Sequence, residues 1–294
     1  MKIHKLHARL VSLSLAASLW VAGSALVTRG TPLVDPTRTP DCPGVATMDC
    51  TGVPELICKT ACNQHQSLVI RDRCKYRQRL HMERYEKPKA PGLPPGERKQ
   101  FRDTEVEIGY QVDENDKTNY LVVPRVVADT DDKGVPKTKV NPKESTGLTS
   151  QAFLDLIFFP LLPEKLPYYE FEPAPAEREG ERAFRFKPKA NIKSVPLAVG
   201  IVYVNGTTGD MLTVQVEAMY NLQVLDKHLK DIESISATVD YSEFNGRFRM
   251  PTLARGEGIS NVTKFKGYFK FNFEESAYVP ALTLPGWSGI STNN

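Results

Sequence analysis

The sequence predicts an α+β fold that is mainly β: a curved antiparallel sheet, or half-barrel, with a short packed helix, preceded by a small cysteine-rich helical module. Three observations predict it. Seven to nine runs of alternating apolar and polar residues recur between residues 99 and 277. A single short helical pattern interrupts these runs. All five cysteines precede them, within residues 42–74.

The first residues have the composition of a secretory signal peptide. A basic start is followed by an apolar run from Leu10 to Val21 and by the small residues Gly23, Ser24 and Ala25. We expect cleavage after Ala25, which removes residues 1–25. A retained membrane anchor is the alternative, but the apolar run is shorter than the roughly 20 residues that a spanning helix needs. The expected location is therefore the periplasm or the exterior of the cell.

The charge of the mature chain argues against two classes of partner. The whole sequence has 38 basic and 35 acidic residues, and the signal peptide contains Lys2, Lys5 and Arg9 but no acidic residue. Its removal leaves 35 residues of each sign. Without a basic stripe the chain is not expected to bind nucleic acid. Without a polybasic patch or a second apolar run of membrane length, its contact with membranes is at most peripheral.

The clustered cysteines predict disulfides, because thiols rarely persist outside the cytosol. Five is an odd number, so one thiol stays unpaired, and the sequence does not choose among the pairings. Zinc is the alternative, but Cys58 and Cys62 form a CxxxC spacing, and His65 and His81 are not at ligand spacings. We expect no metal and no cofactor. The disulfide candidates are Cys42, Cys50, Cys58, Cys62 and Cys74.

Composition divides the mature chain into four parts. The cysteine-rich module begins with a loop rich in proline and glycine, and from Glu55 to Tyr85 it has neither residue, which predicts a long helix or a helical pair. The next segment contains four prolines and cannot continue a helix. The expected parts are the module (26–86), a Pro-rich linker (87–98), the antiparallel β domain (99–277) and an irregular tail (278–294).

The first elements of the β domain are two strands and a helix. Residues 101–112 and 119–128 alternate as strands do, and Pro124 in the second run indicates a sheet edge or a bulge. A capping residue, Thr149, precedes apolar residues at helical spacing, and Pro160 ends this short helix.

The remaining residues of the domain predict a covering loop and further strands. Residues 160–176 are rich in proline and in aromatic residues, and Tyr168, Tyr169 and Phe171 either stack on a ligand or pack on the sheet. Two alternating runs flank residues 205–209, which is the strongest hairpin signal in the chain. Further strands follow, and the last includes the run FKGYFKFNF.

Sequence patterns typical of enzymes are weak. His65, His81 and His228 are the histidines left after cleavage, and no GxSxG motif supplies a nucleophile. The Gly256–Gly258 pair lacks the continuation of a phosphate-binding loop. Carboxylates cluster at residues 113–116, at 129–132 and at Glu274 and Glu275, so a glycosidase pair or loose calcium binding by Asp129, Asp131 and Asp132 stays open. We expect the protein not to be an enzyme.

Five segments carry a resemblance to a known group of proteins. They are GERAFRF (180–186), GIVYVNGTTGD (200–210), TVDYS (238–242), GRFRMP (246–251) and GYFKFNFEES (267–276). Over about residues 100–277 the chain resembles secreted bacterial proteins frequent in acidobacteria, whose sheets look like the half-barrel of periplasmic lipoprotein carriers. The resemblance implies the half-barrel fold and the binding of a lipid or a lipoprotein.

Two functions are therefore expected, in order of preference. The first is an exported envelope protein that binds an apolar ligand, a lipid or a lipoprotein acyl chain, in the concave face of the sheet. The second is a structural or protein-interaction module of the envelope with no small-molecule ligand. An open apolar cavity favours the first and a filled interior the second. The candidate ligand-binding residues are Phe184, Phe186, Val202, Val204, Val214, Tyr241 and Phe269.

Overall fold

The computed structural model describes residues 48–90, 93–112, 120–140, 151–262 and 266–280. Within these ranges, three short 3₁₀-helices, Pro163–Tyr168, Leu222–Val224 and Lys227–Asp231, accompany the larger elements. The α-helices and strands are α1 (Glu55–Arg71), β1 (Cys74–Tyr85), β2 (Arg98–Val112), β3 (Tyr120–Asp129), α2 (Gln151–Phe158), β4 (Tyr169–Ala174), β5 (Glu181–Pro188), β6 (Leu197–Asn205), β7 (Met211–Tyr220), β8 (Ile232–Phe244), β9 (Phe248–Ser260) and β10 (Gly267–Pro280).

The strands form one curved, ten-stranded sheet in the order β3-β2-β1-β10-β9-β8-β7-β6-β5-β4. Every neighbouring pair is antiparallel. The sheet does not close, because β3 and β4 do not pair with each other and form its two edges. The mainly β, antiparallel half-barrel predicted from the sequence is confirmed. Pro124 lies in the edge strand β3, where the missing backbone N–H weakens the sheet least.

Helix α1 is shorter than the sequence predicts. It begins after Pro54, whose carbonyl oxygen accepts hydrogen bonds from the N–H groups of Ile57 and Cys58 at 2.9 and 3.1 Å. Glu55 in the first turn and Arg71 in the last turn carry charges that favour the helix dipole. The predicted helical extension to Tyr85 is wrong, because the chain turns at Asp72 and enters β1.

Buried and exposed residues alternate along strand β1. No glycine or proline separates this strand from α1, so the sequence does not mark where the helix ends. The buried residues Tyr76, Gln78 and Leu80 of β1 alternate with exposed basic ones. Exposed Arg77 forms ion pairs with Glu105 and Glu107 of the neighbouring strand β2, at 3.4 and 3.2 Å. This strand lies between β2 and β10, so the segment assigned to a separate helical module contributes a strand to the sheet.

The Pro-rich segment 87–98 connects the paired strands β1 and β2. Glu86 N–H donates to the Glu97 carbonyl oxygen at 3.0 Å and closes the connection. The division of the chain into four parts stays a prediction. At the other end of the chain, β10 continues to Pro280, into the segment expected to be irregular.

The predicted hairpin at residues 205–209 is confirmed as the connection of β6 to β7. The Asn205 side-chain oxygen accepts hydrogen bonds from the N–H groups of Thr207 and Thr208, both at 2.9 Å. Helix α1 also holds this turn, since Lys59 Nζ donates to the Thr207 carbonyl oxygen at 2.8 Å and Asn63 Nδ2 to that of Thr208 at 3.1 Å. The hairpin is thereby fixed against the helix.

The cysteines join the start of α1 to the preceding chain. Cys50 and Cys58 form a disulfide. Cys62 is also disulfide-bonded, and its partner lies outside the described residues. Cys74 is a buried free thiol, and burial raises its pKa to about 12, which makes it a poor nucleophile. The described helices include none long and apolar enough to cross a membrane, and the predicted signal peptide lies outside the described residues.

Candidate functional site

The seven candidate ligand-binding residues gather on one face of the sheet, here called the inner face. Phe184, which is half-buried, packs against the same large apolar cluster that contains the other six. They come from five strands, and direct pairing of Val202 with Val214 shows how their side chains meet across the sheet. The other buried members are Phe186, Val204, Tyr241 and Phe269. Whether a ligand contacts them stays a prediction.

Helix α2 covers part of the inner face. It was expected to be amphipathic, and its residues from Phe153 to Phe158 are buried except for the half-buried Asp155. A cavity of about 10 Å³, room for about one water molecule, lies under it. The lining residues are Phe153, Leu154, Ile157 and Phe158 of α2 and Leu80, Ala254, Phe271 and Phe273 of the sheet. The interior at this place is therefore apolar and nearly filled.

The C-terminal end of α2 is held by polar contacts with buried side chains. Tyr241 of β8 donates its hydroxyl hydrogen to the Phe158 carbonyl oxygen. Gln64 of α1 donates to the same carbonyl at 3.4 Å and accepts from the Leu161 N–H at 3.0 Å. Tyr241 therefore has a structural hydrogen bond as well as a place in the apolar cluster.

The aromatic residues after α2 pack on the sheet. Buried Tyr169 meets Phe186 edge to face, with ring centroids 5.5 Å apart. Its hydroxyl oxygen accepts a hydrogen bond from the Ala198 N–H at 3.0 Å. Of the two uses expected for these aromatics, packing is the one that Tyr169 has here.

A buried ionic cluster lies beside the cavity and was missed by sequence reasoning. Arg71, at the end of α1, donates from Nε to Glu275 Oε2 at 2.8 Å and from Nη2 to Glu275 Oε1. Its Nη1 donates to Asp155 of α2 at 3.1 Å. Gln78 of β1 and Tyr278 of β10 also donate to Glu275, the former at 2.8 Å. We call Arg71, Gln78, Asp155, Glu275 and Tyr278 the Arg71 cluster.

Arg71, Gln78 and Glu275 are nearly inaccessible to water, whereas Asp155 and Tyr278 are half-buried. The side chains of Arg71 and Glu275 are 0% and 1% exposed, against 27% for Asp155. Burial by itself would lower the pKa of Arg71, but the attraction and hydrogen bond of Glu275, together with the charges of Tyr76 and Asp155, outweigh it and raise that pKa. The guanidinium is therefore permanently charged, and its bidentate partner is essential to its burial.

The cluster also carries a titratable carboxyl group at its margin. Burial, and after it the charge of Asp155, raises the pKa of Asp72 from 3.8 to about 7, although Arg71 and Arg73 act in the opposite direction. Glu275 contributes a further repulsion. Asp72 is thus protonated in the folded protein over a range in which the unfolded chain has lost the proton.

We expect Asp72 to make the protein less stable as the pH rises from about 4 to about 7, because the folded state retains the proton that the unfolded chain releases. Asp72→Asn has no such proton, so in this window its unfolding free energy should fall less, or rise more, with pH than that of the wild type. Urea unfolding of both proteins at several pH values measures the difference. Equal slopes for the two proteins would contradict the expectation.

Two signals in the sequence pointed to this cluster without identifying it. Asp155 interrupts an otherwise apolar helix, and Glu275 is one of two adjacent carboxylates. Glu274 and Glu275 were left open as a glycosidase pair, but neighbours in a strand face opposite sides, and here Glu274 is exposed while Glu275 is buried. They do not form a pair around a common substrate.

The other candidates for chemistry have structural partners. His81 Nδ1 lies 2.8 Å from Asp103 Oδ1 of the adjacent strand β2. Asp129, proposed for calcium, accepts from Arg102 Nη2 at 2.7 Å and from Thr104 at 3.0 Å. Burial opposes its ionisation, yet the hydrogen bonds from Arg102 and Lys137 lower its pKa to about 2. The described ranges contain no group of three or more His, Cys, Asp or Glu side chains that could hold a metal ion.

The Gly256–Gly258 pair, which lacks the continuation of a phosphate-binding loop, is used for packing. A Cβ atom at Gly256 or Gly258 would lie 2.3 Å from the ring of Phe271 or 2.6 Å from the ring of Phe269. These glycines give the two rings room to lie on strand β9. His65 is half-buried in α1. The side chain of His228 and residues 113–116 lie outside what the structure describes.

Comparisons with known proteins give likenesses at the level of the fold. No protein-family model matches the chain, and no curated protein sequence matches it. A crystal structure of a LolA superfamily protein from Nitrosomonas europaea is 9% identical, with a TM-score of 0.30, covering 76% of this chain and 93% of that one. An outer membrane lipoprotein-sorting protein domain from Vibrio parahaemolyticus is 10% identical, with a TM-score of 0.34, covering 76% of this chain and 95% of that one.

A third solved structure, MucB in complex with MucA, is 9% identical with a TM-score of 0.21, covering 76% of this chain and 99% of MucB. The second neighbour is named for lipoprotein sorting, and none of the three points to the acidobacterial-type group. At these identities and TM-scores the likenesses assign neither a family nor an activity to the chain.

Proposed function

We propose that this chain is an exported, non-enzymatic envelope protein that binds an apolar ligand, a lipid or a lipoprotein acyl chain, on the inner face of its half-barrel. The observation that carries the proposal is the position of the cavity. It lies between the inner face and α2, a helix of eight residues, and eight apolar side chains line it. An apolar chain that enters there meets no polar side chain among these lining residues.

Binding requires α2 to give up apolar contacts. Exposing its four lining side chains costs about 6–12 kcal/mol, at about 1.5–3 kcal/mol for each. An acyl chain of about 14 methylenes regains about 11 kcal/mol at about 0.8 kcal/mol for each methylene. The two terms are of similar size, so a long saturated chain offsets the displacement of α2 and a short one does not.

A protein-interaction module of the envelope, without a small-molecule ligand, is the second candidate. The filled interior favours it, because a cavity of about 10 Å³ is far smaller than the roughly 300–1,000 Å³ of ordinary ligand pockets. In that case the seven residues of the inner face serve as core only. The two candidates differ in whether lipid accompanies the purified protein.

The test is mass spectrometry, both of the intact chain and of its lipid extract, on protein purified from the periplasm without detergent. We expect a mass shortened by residues 1–25 and a lipid that co-purifies with the protein. Absence of lipid, together with no binding of a fluorescent fatty acid, would eliminate the first candidate and leave the interaction module. A mass that includes the first 25 residues would contradict the predicted cleavage.

A substitution in the cavity should weaken binding. Ala254→Val adds two methyl groups to the lining, and we expect it to lower the affinity for a fluorescent fatty acid about tenfold, the equivalent of roughly two buried methylenes. Ala237→Val is the matched control, since Ala237 is buried in the adjacent strand β8 but does not line the cavity. Equal affinities of the two variants would contradict a ligand in this place.

A further inference from the structure

The inner face carries two apolar clusters, and the Arg71 cluster lies between them. The large cluster includes Leu80 of β1 and Phe273 of β10. The smaller one includes Tyr76 of β1 and has Tyr278 of β10 packed against it. The inward residues that separate these members are Gln78 on β1 and Glu275 on β10.

The polar groups that separate the two apolar clusters come from two neighbouring strands and from helix α1. Gln78 and Glu275 are direct cross-strand partners in the β1–β10 pair. Arg71 donates to Glu275, and its guanidinium carbon is 5.1 Å from the Tyr76 ring centroid and 5.6 Å from that of Phe158. One buried ion pair with its amide partner thus contacts both apolar clusters.

No member of the Arg71 cluster lines the cavity, whose lining comes within two residues of the cluster on β1 and on β10. Two of its lining residues are near the cluster: Leu80 follows Gln78 by two residues, and Phe273 precedes Glu275 by two residues. Two residues span roughly 7 Å along a strand. A methylene group that entered this space would have to displace hydrogen-bonded, desolvated charges, which costs more than the methylene gains.

We infer that the Arg71 cluster is a specificity-determining wall that limits the length of the apolar chain accepted on the inner face. The inference rests on the proposed function, since it concerns the same site. Chains that end before the wall gain affinity with each methylene, and longer chains gain nothing further because the additional methylenes stay outside the cavity or fold back.

The test is displacement of a fluorescent fatty acid by unlabelled saturated fatty acids from octanoate to octadecanoate. Their carboxylates are identical, so the series isolates chain length. For the wild-type protein we expect affinity to rise about fourfold for each methylene and then to stop rising within the series. A steady rise through octadecanoate would overturn the wall, whereas the absence of binding by every chain would overturn the proposed function itself.

The second arm removes the wall. A triple variant, Arg71→Met with Gln78→Leu and Glu275→Leu, replaces the buried ionic groups by apolar residues of similar size, a change that folded proteins often tolerate. We expect its affinity to continue rising beyond the wild-type limit. The matched control is Arg185→Met with Glu217→Leu, which removes an ion pair of 2.7 Å whose side chains are 40% and 41% exposed.

A milder variant keeps the inference testable if the triple variant does not fold. Gln78→Ala shortens one side chain of the wall and leaves the Arg71 bonds to Glu275 in place. It should move the chain-length limit to longer fatty acids than in the wild type. An unchanged limit in Gln78→Ala, or in a folded triple variant, would show that the Arg71 cluster does not set the length.

Discussion

Replacing Arg71 by alanine should lower the free energy of unfolding by about 3–5 kcal/mol. Glu275 is 1% exposed and would then lie buried without its bidentate cation, and Asp155 would lose its ion pair with α1. The change also removes a guanidinium that packs on the rings of Tyr76 and Phe158. Urea denaturation followed by circular dichroism measures the loss.

An exposed arginine provides the comparison for this result. Arg185 pairs with Glu217 at 2.7 Å with 40% of its side chain exposed, so Arg185→Ala should cost less than about 1 kcal/mol. A cost for Arg71→Ala no larger than that for Arg185→Ala would mean that water reaches the Arg71 cluster. The cluster would then be a poor wall against an apolar chain as well.

Gly200→Ala should be the second large effect, with a loss of about 3 kcal/mol in the free energy of unfolding. A Cβ atom at this position would lie 1.9 Å from the Gln215 carbonyl oxygen of the paired strand β7. That atom belongs to the backbone, so a side-chain rotation does not relieve the contact. Strands β6 and β7 would have to separate beside Val202 and Val214, two of the candidate ligand-binding residues.

Gly206→Ala is the matched substitution, in the turn that follows β6. Its added Cβ atom would lie 3.0 Å from the nearest neighbour, the Gly180 carbonyl oxygen, so a shift of a few tenths of an ångström relieves it. We expect a loss within about 1 kcal/mol, measured by thermal and urea unfolding of both variants. The β6–β7 register shifts between Val199 and Gly200. A loss for Gly200→Ala as small as that for Gly206→Ala would show that this irregularity absorbs the extra atom.

The apolar part of the candidate site follows from the sequence. The candidates on β5 and β6 belong to alternating runs, and alternation places residues two apart on the same face. The turn at Asn205 and Gly206 then fixes which residues of β6 and β7 are opposite each other. These are relations between residues close in the sequence. One sequence was therefore sufficient to predict which of these residues share the inner face.

Strand β1 shows where local reasoning failed. Its residues include Arg, Lys, Gln, Glu and Met, which favour helices by intrinsic propensity, and no glycine or proline marks a boundary between α1 and β1. The pairing partners of β1 override that propensity, since Leu80 lies opposite Phe273 and Thr104 on the two flanking strands. The partner on β10, Phe273, is far from β1 in the sequence. The pattern within β1 alone therefore did not reveal the strand.

The sequence by itself determined the class of the fold, the hairpin at residues 205–209, the helix before Pro160 and the apolar inner face. Alternation, turn residues and proline act within a few residues of where they stand, and these features depend on nothing else. Only the tertiary structure decided that Arg71 meets Glu275, 204 positions away, and that the filled interior leaves a cavity of about 10 Å³. Both result from the packing of α1 and α2 on the sheet, because a buried charge has no local pattern and its partner is set by which strands become neighbours.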